Sequence, residues 1–129
     1  MLNKLRDEIH QNAVEHGWWE EERSFGDIIA LCHSELSEAL EEYRKGFEPR
    51  EIYYKCTKDY DCSLFVSTIE NDCDKCDKNK PEGIPTELTD VIIRILDYCG
   101  KEGIDIEEAI RIKHEYNKTR PYKHGGKKI

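Results

Sequence analysis

The chain has 129 residues, enough for one domain with a modest core, and its 28 acidic against 20 basic residues give a formal charge of −8. Hydrophobic and charged residues each make up 37%, and apolar runs such as Val91-Ile92-Ile93 are far too short to cross a bilayer. The N-terminal stretch MLNKLRDEIHQ is charged and lacks the apolar segment of a secretory signal. A membrane protein and a secreted disulfide scaffold are therefore not expected. The six cysteines are expected to be reduced thiols or metal ligands in the cytoplasm.

Leu2, Leu5, Ile9 and Ala13 recur at helical spacing and predict a first helix over 2–16, stopped by Gly17. Ser24 then supplies an N-cap, with Asp27 three residues on in a capping-box position. Ile28, Ile29, Cys32, Leu36, Ala39, Leu40 and Tyr43 continue that second helix to about Gly46. Residues 47–83 differ in kind. They hold four cysteines, two prolines and the β-leaning run Ser63-Leu-Phe-Val-Ser-Thr-Ile69, and predict a small β-hairpin or irregular module inserted between helices.

A third helix opens at Pro85 or Thr86, carries Leu88, Val91, Ile92, Ile95, Leu96 and Cys99, and is expected to end at Gly100 and Gly103. The fourth runs from about Asp105 to Thr119 and is expected to bury Ile106, Ala109, Ile110 and Ile112, with Pro121 beyond it. The expected fold is all-α: a single domain over 1–129 built as a short four-helix bundle, with a Cys-rich insertion at 47–83 and a basic tail at 120–129. Residues 111–129 carry seven Lys and Arg against one acid, Glu115. An acidic body with a basic tail does not suit duplex nucleic acid, which meets a broad basic face. A small anion held between metal-bound carboxylates and a few cations fits, as does a simply solvated tail.

The chemistry concentrates in carboxylates. Glu35 and Glu38 lie three apart on the second helix, and Glu87 and Asp90 three apart on the third, so each pair shares one helix face. Converged, four such charges repel strongly unless cations sit between them, and hard oxygen ligands favour Mg²⁺ or Mn²⁺. The competing reading is that these are ordinary solvated helix charges; Glu42 is placed outside the motif. A di-iron site is disfavoured because neither pair contains the histidine of a Glu-x-x-His motif.

Three strings give these pairs a family context: Gly17-Trp-Trp19, His33-Ser-Glu-Leu-Ser-Glu-Ala-Leu-Glu-Glu42, and Glu87-Leu-Thr-Asp-Val-Ile-Ile-Arg94. With the tail from Lys113 to Gly126, the chain resembles the MazG-like all-α nucleoside triphosphate pyrophosphohydrolases, whose pattern is E-x-x-E followed by E-x-x-D. The insertion at 47–83 departs from that pattern. The resemblance implies Mg²⁺-dependent release of pyrophosphate from a nucleoside triphosphate, leaving the monophosphate. Glu35, Glu38, Glu87 and Asp90 would hold the metal, and one of the helix-two glutamates, Glu38 ahead of Glu35, would also orient or deprotonate the attacking water. A homo-oligomer, dimer or dimer of dimers, is implied as well. The alternative of another class is a non-catalytic, metal-holding helical scaffold whose cysteine module binds a partner.

Lys113, Asn117 and Arg120 share a face at the end of the fourth helix and would hold the departing phosphates, or else simply answer the helix dipole. Trp18 and Trp19 offer a flat surface for a base, against core packing or a subunit contact. Cys32 and Cys99 fall on apolar faces as small core residues, and His33 is read as structural or solvent-facing. Cys56, Cys62, Cys73 and Cys76 are candidates for a structural Zn²⁺, although only Cys73-Asp-Lys-Cys76 has tight C-x-x-C spacing. Reduced thiols in a loop are the alternative.

Overall fold

The computed structural model describes residues 1–56 and 79–128. Among the described residues the fold is mostly helical, 67% helix with one small antiparallel sheet. In chain order the elements are α1 (Leu2–Glu15), α2 (Phe25–Arg44), β1 (Tyr53–Cys56), β2 (Asn79–Glu82), α3 (Ile84–Glu102), α4 (Ile106–Lys118) and a short α5 (Lys123–Gly126). They divide into two compact units, one of residues 1–21 with 96–129 and one of residues 22–95. The last turns of α3 belong to the first unit and its earlier turns to the second. Among the described residues no helix is long and apolar enough to cross a membrane.

In the first unit α1 packs against α4. Asn3 ties the two together, its Nδ2 donating to Asp105 Oδ1 at 2.9 Å while its Oδ1 accepts from the Ile106 N–H at 3.1 Å. Asp105 also caps α4 by accepting from the Glu108 N–H, and those bonds hold its carboxyl below the usual range. The expectation that α4 buries Ile106, Ala109, Ile110 and Ile112 is corrected: Ile106 is half-buried and the other three are exposed. Helical spacing marks an apolar face, but burial needs a second surface, and α1 covers only part of it.

Gly100 does not end α3, which continues to Glu102. A Cβ at this position would lie 2.5 Å from His10 Cβ, so the glycine serves close approach to α1 rather than termination. His10 Nδ1 and Trp19 Nε1 both meet the buried Asp97 Oδ1, at 2.8 and 2.9 Å, and Lys101 Nζ lies over the Trp19 ring.

In the second unit Ser24 caps α2 as the sequence predicts: its Oγ accepts from the Asp27 N–H at 3.1 Å while Asp27 Oδ2 accepts from the Ser24 N–H. β1 and β2 pair antiparallel with Tyr53 opposite Glu82 and Cys56 opposite Asn79, a hairpin base for the inserted segment. Gly83 joins β2 to α3 with φ +124°, and a Cβ there would collide with the Glu51 carbonyl oxygen, so only glycine fits. Thr86 Oγ1 donates to the Gly83 carbonyl at 2.9 Å. This tight junction sets Glu82 and Glu87 on either side of one turn.

The core is thin. Ile28, Cys32, Ala39, Tyr53, Leu96 and Cys99 are buried, but so are Glu35, Glu42, Glu87 and Asp97. Meanwhile Phe25, Ile29, Leu36, Leu40 and Tyr43 form an exposed apolar stripe along α2, and Leu88, Ile92 and Ile95 another along α3.

Candidate carboxylate site

The site lies in the second unit, where α2, β2 and the start of α3 bring their acids together. Glu35, Glu38 and Glu42 stand at i, i+3 and i+7 of α2, and Glu87, Asp90 and Arg94 repeat that spacing on α3, so each set forms one ladder. Glu35, Glu38 and Glu87 each present a carboxylate oxygen within 4.8 Å of the others. Glu42, Glu82 and Glu87 form a second such group, with Glu87 common to both. Asp90 is not in either group, but stands near enough to Glu35 to feel its charge.

Burial and repulsion leave clear marks on these groups. Desolvation, together with hydrogen bonds to Glu82 and Glu38, pushes the Glu87 carboxyl from its ordinary 4.5 up to about 8. Near neutral pH the group therefore retains a proton that its neighbours share. Asp90 is raised too, mainly by burial and then by the Glu35 charge, against the lowering pull of Arg94 and Lys80. Lys80 donates to Glu82 across 3.1 Å, and this partner raises its own ammonium pKa. Burial and the Glu42 carboxylate push the Tyr53 phenol upward, and its hydroxyl donates to Glu42 Oε2 at 2.8 Å.

Arg94 answers Glu35. Its Nε and Nη2 both reach Oε1, at 2.8 and 2.7 Å, so Oε2 keeps its lone pairs for a cation. Glu38 is the exposed member of its group, while Glu35 and Glu87 are buried. A dense set of hard oxygen donors, one retaining a proton and one held by a guanidinium through a single oxygen, is of the kind that could hold a divalent cation in place of that proton.

The remaining sequence candidates fall elsewhere. Lys113, Asn117 and Arg120 belong to the first unit, where Lys113 Nζ lies 5.2 Å from the Tyr116 ring centre and Arg120 is half-buried. Trp18 and Trp19 are half-buried in the same unit, and the Trp19 indole is engaged by Asp97. The basic tail borders an open depression of about 620 Å³ lined by Lys123, His124, Gly126, Lys127 and Lys128. Cys32 and Cys99 are buried free thiols, both pushed upward by burial, and His33 is exposed. Cys56 ends β1, whereas Cys62, Cys73, Cys76 and the 63–69 run lie outside the described residues.

Two functional candidates escaped the motif. Glu42 is not a solvated bystander: it is buried between Tyr53 and the carboxylate group. Its i+4 position from Glu38 carried that signal. Glu82 had none, because its place depends on strand pairing and the Gly83 turn. No family model matches the chain, and no match is found among curated proteins or solved structures.

Proposed function

We propose that the chain is a Mg²⁺-dependent nucleotide pyrophosphohydrolase of the MazG-like kind, converting a nucleoside triphosphate to the monophosphate and pyrophosphate. The observation that carries this reading is the convergence of Glu35, Glu38 and Glu87 within 4.8 Å, on the two helices that hold the E-x-x-E and E-x-x-D strings. Cleaving a phosphoanhydride needs charge neutralised on several oxygens and a water aimed at one phosphorus. Mg²⁺, with Mn²⁺ as substitute, would supply that neutralisation. Glu35, Glu38, Glu87 and Asp90 would hold it. Glu38, the exposed acid, is placed to meet solvent and would orient or deprotonate the water. Arg94 holds Glu35 through one oxygen and keeps the other available.

The exposed apolar stripes of α2 and α3 support association into a homo-oligomer, a dimer or dimer of dimers. The buried free thiols Cys32 and Cys99 suit the reducing cytoplasm. A structural Zn²⁺ on Cys56, Cys62, Cys73 and Cys76 would supply folding energy to the inserted module.

The competing reading is a metal-holding scaffold without catalysis, favoured by one observation: Arg94 and the retained proton already neutralise part of the cluster. Pyrophosphate release measured with Mg²⁺ across a panel of ribo- and deoxyribonucleoside triphosphates separates the two. Turnover that is lost in Glu38→Gln is expected. Metal binding with no turnover of any nucleotide would leave the scaffold standing.

A further inference from the structure

Beside the carboxylates, the end of α2 and the β1–β2 ribbon border a half-open pocket of about 350 Å³ lined by Glu42, Lys45, Phe47, Tyr53, Lys55 and Glu82. That volume lies in the range of small-molecule sites. One wall is aromatic. Phe47 and Tyr53 stack with ring centres 4.4 Å apart and planes 14° from parallel, Tyr53 buried behind and Phe47 half-exposed in front. The rest pairs two carboxylates with two ammonium groups, so the lining has no net charge. A phosphate would meet Glu42 and Glu82, and a bare cation would meet Lys45 and Lys55. A flat, uncharged ring with donors on one edge and an acceptor beside them satisfies all six residues.

We propose that this pocket is the subsite for a nucleobase carrying an exocyclic amino group together with a ring carbonyl, the combination shared by cytosine and guanine. The amino hydrogens need acceptors, and Glu42 and Glu82 provide them. Each carboxylate has about four lone-pair positions, of which Tyr53 takes one on Glu42, while Lys80 and the Glu87 carboxyl take two on Glu82. The carbonyl needs a donor. Lys55 is exposed at the rim, and Lys45 Nζ lies 3.8 Å from Glu42 Oε1, beyond hydrogen-bond reach and able to turn to a ligand. The ring rests on the open face of Phe47.

Position supports the assignment. Glu42 and Glu82 lie within 4.8 Å of Glu87, which lies equally close to Glu35 and Glu38. Resting on the proposed activity, the base and the phosphates of one nucleotide then occupy adjacent sides of Glu87. Adenine lacks the carbonyl, and uracil and thymine lack the amino group. Each leaves a lysine or a carboxylate of the pocket without its partner.

The test uses nucleosides, without phosphate or metal, on the full chain in chelator. Saturation-transfer NMR should show cytidine or guanosine binding in the millimolar range, with adenosine and uridine weaker by roughly tenfold or more, as expected for losing one hydrogen bond to a charged group. Phe47→Ala and Lys55→Met, the second at an exposed position that keeps the fold, should each weaken the favoured nucleoside by a similar factor. Equal binding of all four nucleosides, no binding of any, or affinities unmoved by both substitutions would overturn the assignment. Because no turnover is read, an inactive protein that selects cytidine or guanosine refutes the proposed activity and keeps the subsite. An active protein that ignores all four does the reverse.

Discussion

The retained proton on Glu87 makes a measurable demand on stability. Folding moves this carboxyl from its ordinary 4.5 to about 8, by burial first and by hydrogen bonds with Glu82 and Glu38 second. Between those values the folded chain holds more protons than the unfolded one, so stability falls as pH rises and the contribution is gone above about pH 8. For one proton the slope approaches about 1.4 kcal/mol per pH unit, or roughly 2–3 kcal/mol from about pH 5.5 to about pH 7.5. That is a large share of a typical folding free energy. Glu87→Gln removes the titration but keeps two N–H donors for the neighbouring Glu38 and Glu82. The metal-free variant should therefore match the wild type at the acid end and exceed it at the neutral end. Urea unfolding of both proteins in chelator across that range reads the difference directly. The charged groups facing the site, namely Glu35, Glu38 and Glu42 from α2, Lys80 and Glu82 from β2, and Asp90 and Arg94 from α3, are common to both proteins, and because these acids interact the difference reads the titration of the cluster with and without Glu87. Two stability profiles running parallel with pH would refute the shared-proton account. If a cation displaces this proton, Mg²⁺ affinity should also rise with pH, with proton release measurable in weakly buffered titrations.

Glu38→Gln should abolish pyrophosphate release with an unchanged circular dichroism spectrum, while Glu41→Gln, on an exposed residue of the same helix, should not; equal activity in wild type and Glu38→Gln would remove Glu38 from the site. Gly100→Ala should destabilise the protein by roughly 1–2 kcal/mol, because a Cβ placed 2.5 Å from His10 Cβ costs more than the helix propensity gained. A raised melting temperature in that variant would contradict the close approach. Leu40→Glu, in the middle of the exposed α2 stripe, should shift light scattering toward the monomer, and a wild type already monomeric at micromolar concentration would contradict association. Protein purified without chelator should carry about one zinc per chain if the four inserted cysteines ligate it, and four freely titrating thiols with no zinc would answer for the loop instead.

Local chemistry was the most readable level of this sequence. Ser24 and Asp27 form the capping box their spacing announced, and the E-x-x-E and E-x-x-D strings put Glu35, Glu38 and Glu87 together because three-residue spacing fixes a helix face regardless of what lies opposite. Gly100 was misread for a definite reason. A glycine in a helical pattern signals either an end or a close neighbour, and only the position of His10 decides. Glu82 could not be read at all, since its place follows from a strand register and from the left-handed Gly83.

Periodicity also failed to say which face of α2 turns inward. Ile28, Cys32 and Ala39 are buried on the same side as Glu35 and Glu42, whereas Phe25, Ile29, Leu36, Leu40 and Tyr43 are left exposed. A helix selected only for the stability of one chain would not expose five large apolar groups while burying two carboxylates. Both halves of that arrangement follow if α2 serves two surfaces. Its acidic face, held by Arg94, Tyr53 and the Glu87 proton, would take the proposed cation, and its apolar face would meet the proposed second copy. Association would then stiffen the helix that carries Glu35, Glu38 and Glu42, so cation affinity and oligomerisation should rise and fall together. Leu40→Glu, remote from every carboxylate oxygen of the site by its place on the opposite stripe, should accordingly weaken Mg²⁺ binding as well as assembly. Unchanged Mg²⁺ affinity in a monomeric Leu40→Glu variant would show the two faces to be independent.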